Sequence, residues 1–537
     1  MKNFANHAVS RRAFLGGSAA AAALGLAACG GNSGSDTKTD AGTSTGGKEG
    51  GGALTVGSAY SPSSYDPANC SSAFCLSANT NVMEGLYNID FTDYSVISGL
   101  AAGDPVEVDA NTYEVTLRDG AKFSDGTDVT ADDVVSSFER ATAEGGLYVS
   151  FLTMFDGIEK KDDKTVTVKV SIPNFSLLKE RLAIIKVMPS SLSADDAKAK
   201  PVGSGPWMYT EVSDTYASLA PNPNYNGEFP AKDNELRIES LTDTTARVTA
   251  QQEGTTLVTE SVPPESIDQL KGAGCDVDQV NGFGTRFIMF NVAKEPWNNV
   301  KVRQAVMYAL DTEKMVSNTF AGLATAASCY LPKSFTNYHE ASTVYKTDAK
   351  KAKKLIEESG ITPGAITLRT TDNEQIKGMA AQVKNDLDAL GFDVTIQTDT
   401  SPATYAAIDG GEAYDILLAP GDPSCFGADP DLLLNWWYGD NVWMQTRCPW
   451  KESAEWQKLH GLMDEALAAE GDEQQKKWNE CFDIIADNAV LYPVVHVKTV
   501  SASWDDPSTA PNGEALDGFK GIGTTSMSFR GVATVRA

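Results

Sequence analysis

"LRDGAKFSDGTDVTADDV", residues 117–134, carries five aspartates and two glycines in eighteen positions. Such a stretch reads as a calcium loop, a phosphate cradle or scaffold, and spacing decides between them. Counted from Asp119, the third and fifth positions are Ala121 and Phe123 and the twelfth is no glutamate, so a calcium loop lacks its oxygen ligands. No Gly-Lys-Ser/Thr follows the glycines, so the cradle of a phosphate loop is missing as well. What remains is local structure. Upstream, "TYEVTL" (residues 112–117) alternates polar and apolar side chains at the period of a half-buried strand. "RDG" (118–120) and "DGT" (125–127) supply tight turns, and "AKFS" (121–124) is predicted as a short strand between them. Thr130 then precedes "ADDVVSSFERA", with Asp133 three positions on. That is a capping-box start to a helix, its carboxylates at the positive end of the helix dipole.

Strand, Arg-x-Gly turn, Lys-Phe-x-Asp-Gly loop and Thr-Ala-x-Asp-Val helix start, in this order, resemble the signature of the family 5 extracellular solute-binding proteins. These are the peptide-, dipeptide- and nickel-type binding subunits of ABC importers. Further blocks resemble the family in the expected order: "SYDPAN" (64–69), "NVMEGLY" (81–87), "GSGPW" (203–207) and "PNPNYNG" (221–227). "FNVAKEPWNNVKVRQAVMYALDTEKMV" (290–316) and "DAKKAKKLIEESG" (348–360) continue the series. The residues point the same way unaided. Val302, Ala305, Val306, Ala309 and Leu310 form one apolar helical stripe. Gly360 and Gly391 stand where glycine ends a helix, and "FDVTIQT" (392–398) then alternates like a strand. Helix, glycine and strand in succession is the grammar of an α/β layer.

The resemblance implies an α/β, two-lobed, periplasmic-binding-protein-like fold, of type II and the large peptide-binder class, with hinged lobes around a central cleft. Carried over by position, lobe I comprises residues 53–90, an extra subdomain 91–202 and a second part 203–282. Lobe II is 283–497, and 498–537 return to lobe I. Ahead of these stand a leader, 1–28, and a tether, 29–52.

The leader reads as an export signal. Arg11 and Arg12 form a twin-arginine pair followed by Phe14 and Leu15, and an Ala-rich run leads to "LAAC" (26–29). That run is short of the roughly 20 apolar residues a bilayer span needs. The ending resembles a lipobox, in which Cys29 is lipidated after cleavage. "GGNSGSDTKTDAGTSTGGKEGGG" (30–52) has no large apolar residue to bury. As a flexible coil it spans about 25–30 Å, enough to stand a globular body off a membrane. The expected location is extracytoplasmic, at the outer face of the cell membrane, held by lipid alone.

Without residues 1–28 the chain keeps 41 basic against 72 acidic residues, a net charge of −31. So acidic a body repels nucleic acid. A composition 42% hydrophobic supports sizeable cores. Cys70–Cys75 and Cys425–Cys448 are the local disulfide candidates in an exported chain. His339, His460 and His496 are far apart and no cysteine pair has a histidine nearby, so neither metal nor cofactor is expected. There is no Gly-x-Ser-x-Gly elbow, no His-Glu-x-x-His and no dinucleotide-binding glycine turn, which argues against an enzyme.

Site residues follow from the resemblance. One wall comes from "SSAFC" (71–75), with Phe74 and Cys75, and another from the lobe crossover "NGFGTRF" (281–287), with Phe283 and Arg286. The loop 421–430 brings Asp422 and Phe426, and the return strand brings His496. "NWWYGDNVW" (435–443) adds an aromatic cluster, in which Trp436 and Trp437 are expected in a core and Trp443 at the ligand. Many peptide binders of the family carry a carboxylate for the peptide's ammonium shortly before an Asp-Pro. Asp429-Pro430 matches that dipeptide, but the carboxylate position falls at Phe426, with Asp422 as the substitute. The implied partners are an ABC permease and ATPase and a small solute, of which peptides are the leading class. A metal chelate, an oligosaccharide or another organic solute is the alternative, and the protein is expected to be a monomer.

Overall fold

The computed structural model describes residues 50–521 and 527–537. Arg11, Arg12 and Cys29 lie outside the described residues. Two long strands, Asp276–Phe290 and Leu491–Ser503, pair antiparallel and form the spine of an eleven-stranded sheet. Beyond the first lie Ile416–Gly421, then Ala365–Thr371 and Asp393–Asp399, the last three mutually parallel. Beyond the second lie Val258–Glu260, then Ala53–Ser58 and Glu235–Ser240 in parallel, then the antiparallel Tyr216–Pro221 and Trp207–Val212. A separate four-stranded antiparallel sheet runs Val106–Asp109, Thr112–Thr116, Thr165–Val170, Phe155–Lys160.

The side chains divide into two hydrophobic cores. One gathers residues from 54–83, 207–277 and 500–535. The other gathers 86–187 with 283–497, so residues 91–187 pack their apolar face into the second core, while Met188 and Ala197 join the first. The spine strands serve both. Val277, Val500 and Ala502 face the first core, whereas Phe283 and Val495 face the second. The hand-over coincides with a break in the ladder: Asn281 pairs with Lys498 and Thr285 with His496, so Gly282, Phe283 and Gly284 bulge out between them.

The local reading of residues 112–141 holds at most points. Thr116 closes the expected strand. Gly120 and Gly126 take φ of +68° and +91°, the left-handed region their turns require. Helix Ala131–Ala141 opens with the capping box: the Asp133 carboxylate accepts from the Thr130 amide at 2.9 Å and its hydroxyl at 2.8 Å. "AKFS" forms no strand. Its amides turn elsewhere, Phe123 donating to the Thr127 carbonyl and Ser124 to that of Gly203, both at 2.9 Å, leaving only a single bridge from Lys122 to Asp128. Gly360 and Gly391 end helices Ala349–Ser359 and Glu374–Leu390, each in the left-handed conformation.

The disulfide candidates are also corrected, because no disulfide joins the described cysteines. Cys70 and Cys75 hydrogen-bond to each other as thiols, which raises Cys70 and lowers Cys75. Cys448 is buried against the Val490 carbonyl at 3.7 Å, whereas Cys425 lines a cavity, so their side chains serve different places. Among the described residues no helix is long and apolar enough to cross a membrane.

Candidate ligand-binding site

Where the two cores meet lies a small cavity of about 50 Å³, partly open to solvent. Helix Ala73–Val82 contributes Leu76, Asn79 and Thr80 from the first core. Tyr148 and Phe426 face them from the second, and Lys186 and Arg530 bring positive charge. Tyr148 is fixed at both ends of its hydroxyl, which donates to the Cys70 carbonyl at 2.6 Å and accepts from the Cys70 amide at 3.1 Å. Its ring stands edge-on to Phe426, centroids 4.9 Å apart, and Phe151 and Trp436, outside the lining, pack on Phe426 at 5.2 and 5.4 Å. Such an aromatic wall is rigid and apolar, a surface against which the body of a small solute packs.

The loop from Gly421 to Pro430 links this cavity to a polar seam. Asp422 caps the short turn Pro423–Phe426, accepting from the Ser424 amide at 3.1 Å and hydroxyl at 2.6 Å. Burial raises its carboxyl, and the Ser424 hydrogen bonds, then the positive field of Arg286, partly offset that rise. Arg286 itself donates to the Thr285 carbonyl at 2.9 Å and to Gln375 at 3.0 Å. Arg247 is committed to the carbonyls of Leu241, Glu260 and Ser261 at 2.6, 3.1 and 3.1 Å. It is therefore a brace for the chain beneath the seam.

The loop's far end is tied down by a buried ion cluster. Arg181 is fully buried and grips Asp429 with two hydrogen bonds, 2.9 and 2.7 Å, and Asp431 with a third at 2.8 Å. Burial alone pushes Asp429 up, but Arg181 outweighs it and holds the carboxyl below its usual range. For Asp431 burial wins, and its carboxyl is pushed up to about 6.

The sequence-predicted residues are thus partly gathered. Phe426 lines the cavity and Asp422 anchors the same loop. Phe74 and Cys75 are buried in the first core, two positions and one position before the lining residue Leu76. Phe283 packs with Tyr330, Trp437 and His496, at 5.3, 5.8 and 6.3 Å between centroids. His496 is buried with them, its Nε2 3.2 Å from the Cys329 carbonyl, and burial lowers it to about 4. Trp437 is in the core as expected, and Trp436 stacks on Phe151 at 5.9 Å. Trp443 is buried between Tyr405, Phe287 and the guanidinium of Arg447, outside the cavity lining. Sequence reasoning missed Tyr148, Lys186 and Arg530, which lie in segments with no motif of their own. No cluster of metal-ligating side chains occurs among the described residues.

Two cores sharing a pair of strands, with a cavity at their junction, is the architecture of a periplasmic binding protein. The middle region of the bacterial extracellular solute-binding proteins, family 5, matches residues 95–445, and the chain belongs to that family. The glutathione-binding protein GsiB of Salmonella paratyphi A is 26% identical over 463 residues, covering 83% of this chain and 87% of its own. Among solved structures, AgaA of A. tumefaciens R10 in complex with agropinic acid superposes with a TM-score of 0.79 at 23% identity. DppA of Helicobacter pylori in complex with the peptide STSA does so with a TM-score of 0.79 at 21% identity. Each covers 90% of this chain and 98% of its own, and the likeness establishes the shared fold.

Proposed function

We propose that this protein is the lipid-anchored, extracytoplasmic binding subunit of an ABC importer, and that it captures short peptides between two lobes for delivery to the permease. The observation that carries the reading is the cavity at the junction of the two cores, walled by the Phe426 loop. As the lobes part, this junction widens into a cleft that suits an extended peptide, since backbone hydrogen bonds give affinity while the aromatic wall accepts varied side chains. The protein does no chemistry on its guest: closure sets affinity, and the importer's ATPase supplies the work. Cys29, lipidated after removal of residues 1–28, tethers the body through residues 30–52. Names of relatives support the range of guests, with glutathione and dipeptides among them.

A second reading keeps the scaffold and changes the guest to another small organic solute or a metal chelate. Phe426 favours it, because a peptide's ammonium lacks its carboxylate at that position, and an unpaired buried ammonium is costly. Thermal-shift titration with tri- and tetrapeptides, alongside mass spectrometry of whatever co-purifies, separates the two. Stabilisation that grows with peptide concentration is expected for the first. Stabilisation by a sugar or chelate and by no peptide would remove it.

A further inference from the structure

Resting on that reading of the cavity as the ligand site, we propose that Lys186 and Arg530 form a subsite for an anionic group of the ligand, a carboxylate in the case of a peptide. The guest is therefore held by its negative end, where the family resemblance led one to expect capture of a positive end.

Lys186 follows helix Leu178–Ile184 and donates to the Ala183 carbonyl at 2.8 Å. Arg530 reaches the end of helix Ala73–Val82, donating through Nη2 to the carbonyls of Thr80 and Met83 at 2.9 and 3.1 Å. The partial negative charge of two helix C-termini keeps both cations in place without neutralising either. Both line the same cavity. Among the described residues neither forms an ion pair. The carboxylate that both feel, Glu84, is nearly fully buried and already spent on Arg118 at 3.1 Å. Arg530 Nε is buried with no partner among the described residues, and Nη1 makes no hydrogen bond to them.

The remaining groups do not fill the gap. Lys186 is faced by Arg530, Glu84 and Cys425, and Arg530 also by Tyr225 and Asp90. Burial, and then the repulsion of Arg530, lowers Lys186 to about 7. Two cations that repel each other across a cavity are relieved by an anion between them, whereas an ammonium placed there would add a third positive charge. Phe426, where a carboxylate is expected, is consistent: at that position the cavity wall offers an ammonium an aromatic ring and no charge. Anion binding raises Lys186, so at pH above about 7 it takes up a proton and affinity falls as pH rises through that value.

The test uses the mature protein and three probes matched in shape: trialanine, N-acetyl-trialanine (carboxylate, no ammonium) and trialanine amide (ammonium, no carboxylate). Glutarate and inorganic phosphate are titrated as bare anions, to tell a carboxylate subsite from a phosphate one. Calorimetry is expected to show N-acetyl-trialanine binding at least as well as trialanine, the amide failing, and proton uptake at pH 8. Lys186→Gln should weaken the carboxylate probes by about tenfold or more, as loss of a charge-assisted hydrogen bond does, and Lys186→Arg should retain them. Arg530→Lys, which keeps the charge near the helix end, is the second variant should Lys186→Gln misfold. Binding of glutarate but of no peptide, abolished in Lys186→Gln, would end the peptide reading and leave the anion subsite standing. Phosphate in place of both carboxylate probes supports the subsite with a different anion. Tight binding of the amide, indifference of the acetylated peptide to Lys186→Gln, or an adventitious ion only would overturn the proposal.

Discussion

His496 shows how one buried ring couples the molecule to pH. Its Nε2 lies 3.2 Å from the Cys329 carbonyl, while its Nδ1 is buried without a partner among the described residues. Burial lowers its pKa from 6.5 to about 4. A base whose folded pKa is depressed gives stability that is whole above the unfolded value and is lost as pH falls from 6.5 towards 4. The difference corresponds to about 3 kcal/mol. Asp431 works against this trend, because a carboxyl raised to about 6 destabilises the folded state at neutral pH and ceases to do so in acid. The informative measurement is therefore the difference between wild type and His496→Gln in denaturant midpoint between pH 7.5 and 4.5. The variant is expected to lose the steep acid-side fall. Parallel curves would mean that His496 is not the neutral, desolvated ring described here.

At the scale of elements, the Arg181 cluster joins helix Leu178–Ile184 to helix Pro430–Tyr438. Asp429 also caps that second helix, accepting from the Leu432 amide at 3.0 Å. Removing Arg181 leaves two buried carboxylates facing each other, so Arg181→Met is expected to cost about 3–5 kcal/mol, read as a large fall in melting temperature. Asp431→Asn should cost less, because the two-pronged grip on Asp429 survives. A small loss for Arg181→Met would show that the joint is not held by charge. This scale also shows what the sequence could reveal. The Thr130 capping box and the glycine caps at Gly360 and Gly391 were legible, because each is made by residues within one turn of one another. "AKFS" was misread since its amides bond to a loop near Gly203, a partner no local pattern announces. Phe426 was legible as part of the site through its distance from Asp429-Pro430. Lys186 and Arg530 were not: each ends or follows a different segment, and only the C-terminal return brings them to one cavity.

At the scale of the molecule, the two cores are bridged by the pair Asp276–Phe290 and Leu491–Ser503, whose ladder breaks at Gly282–Gly284. A bulge of this kind frees hydrogen bonds where a hinge would need them free. Neither glycine there has a left-handed φ, and a methyl on Gly282 would meet nothing closer than the Thr499 hydroxyl at 3.8 Å. Alanine at Gly282 therefore fits without strain and stiffens the bulge, changing stability by less than about 1 kcal/mol. If the cores are lobes that close on a guest, the unliganded protein samples a wider cleft. X-ray scattering with and without the bound probe should then show a smaller radius of gyration in the complex. Gly282→Ala should keep the affinity within a few-fold while slowing the approach to the compact state in stopped-flow tryptophan fluorescence. Trp436 reports on that approach, because it stacks on Phe151 and packs against Phe426, a residue of the cavity wall. Identical scattering profiles with and without a bound guest would show that capture here needs no closure, and the importer would then have to recognise something other than a change of shape.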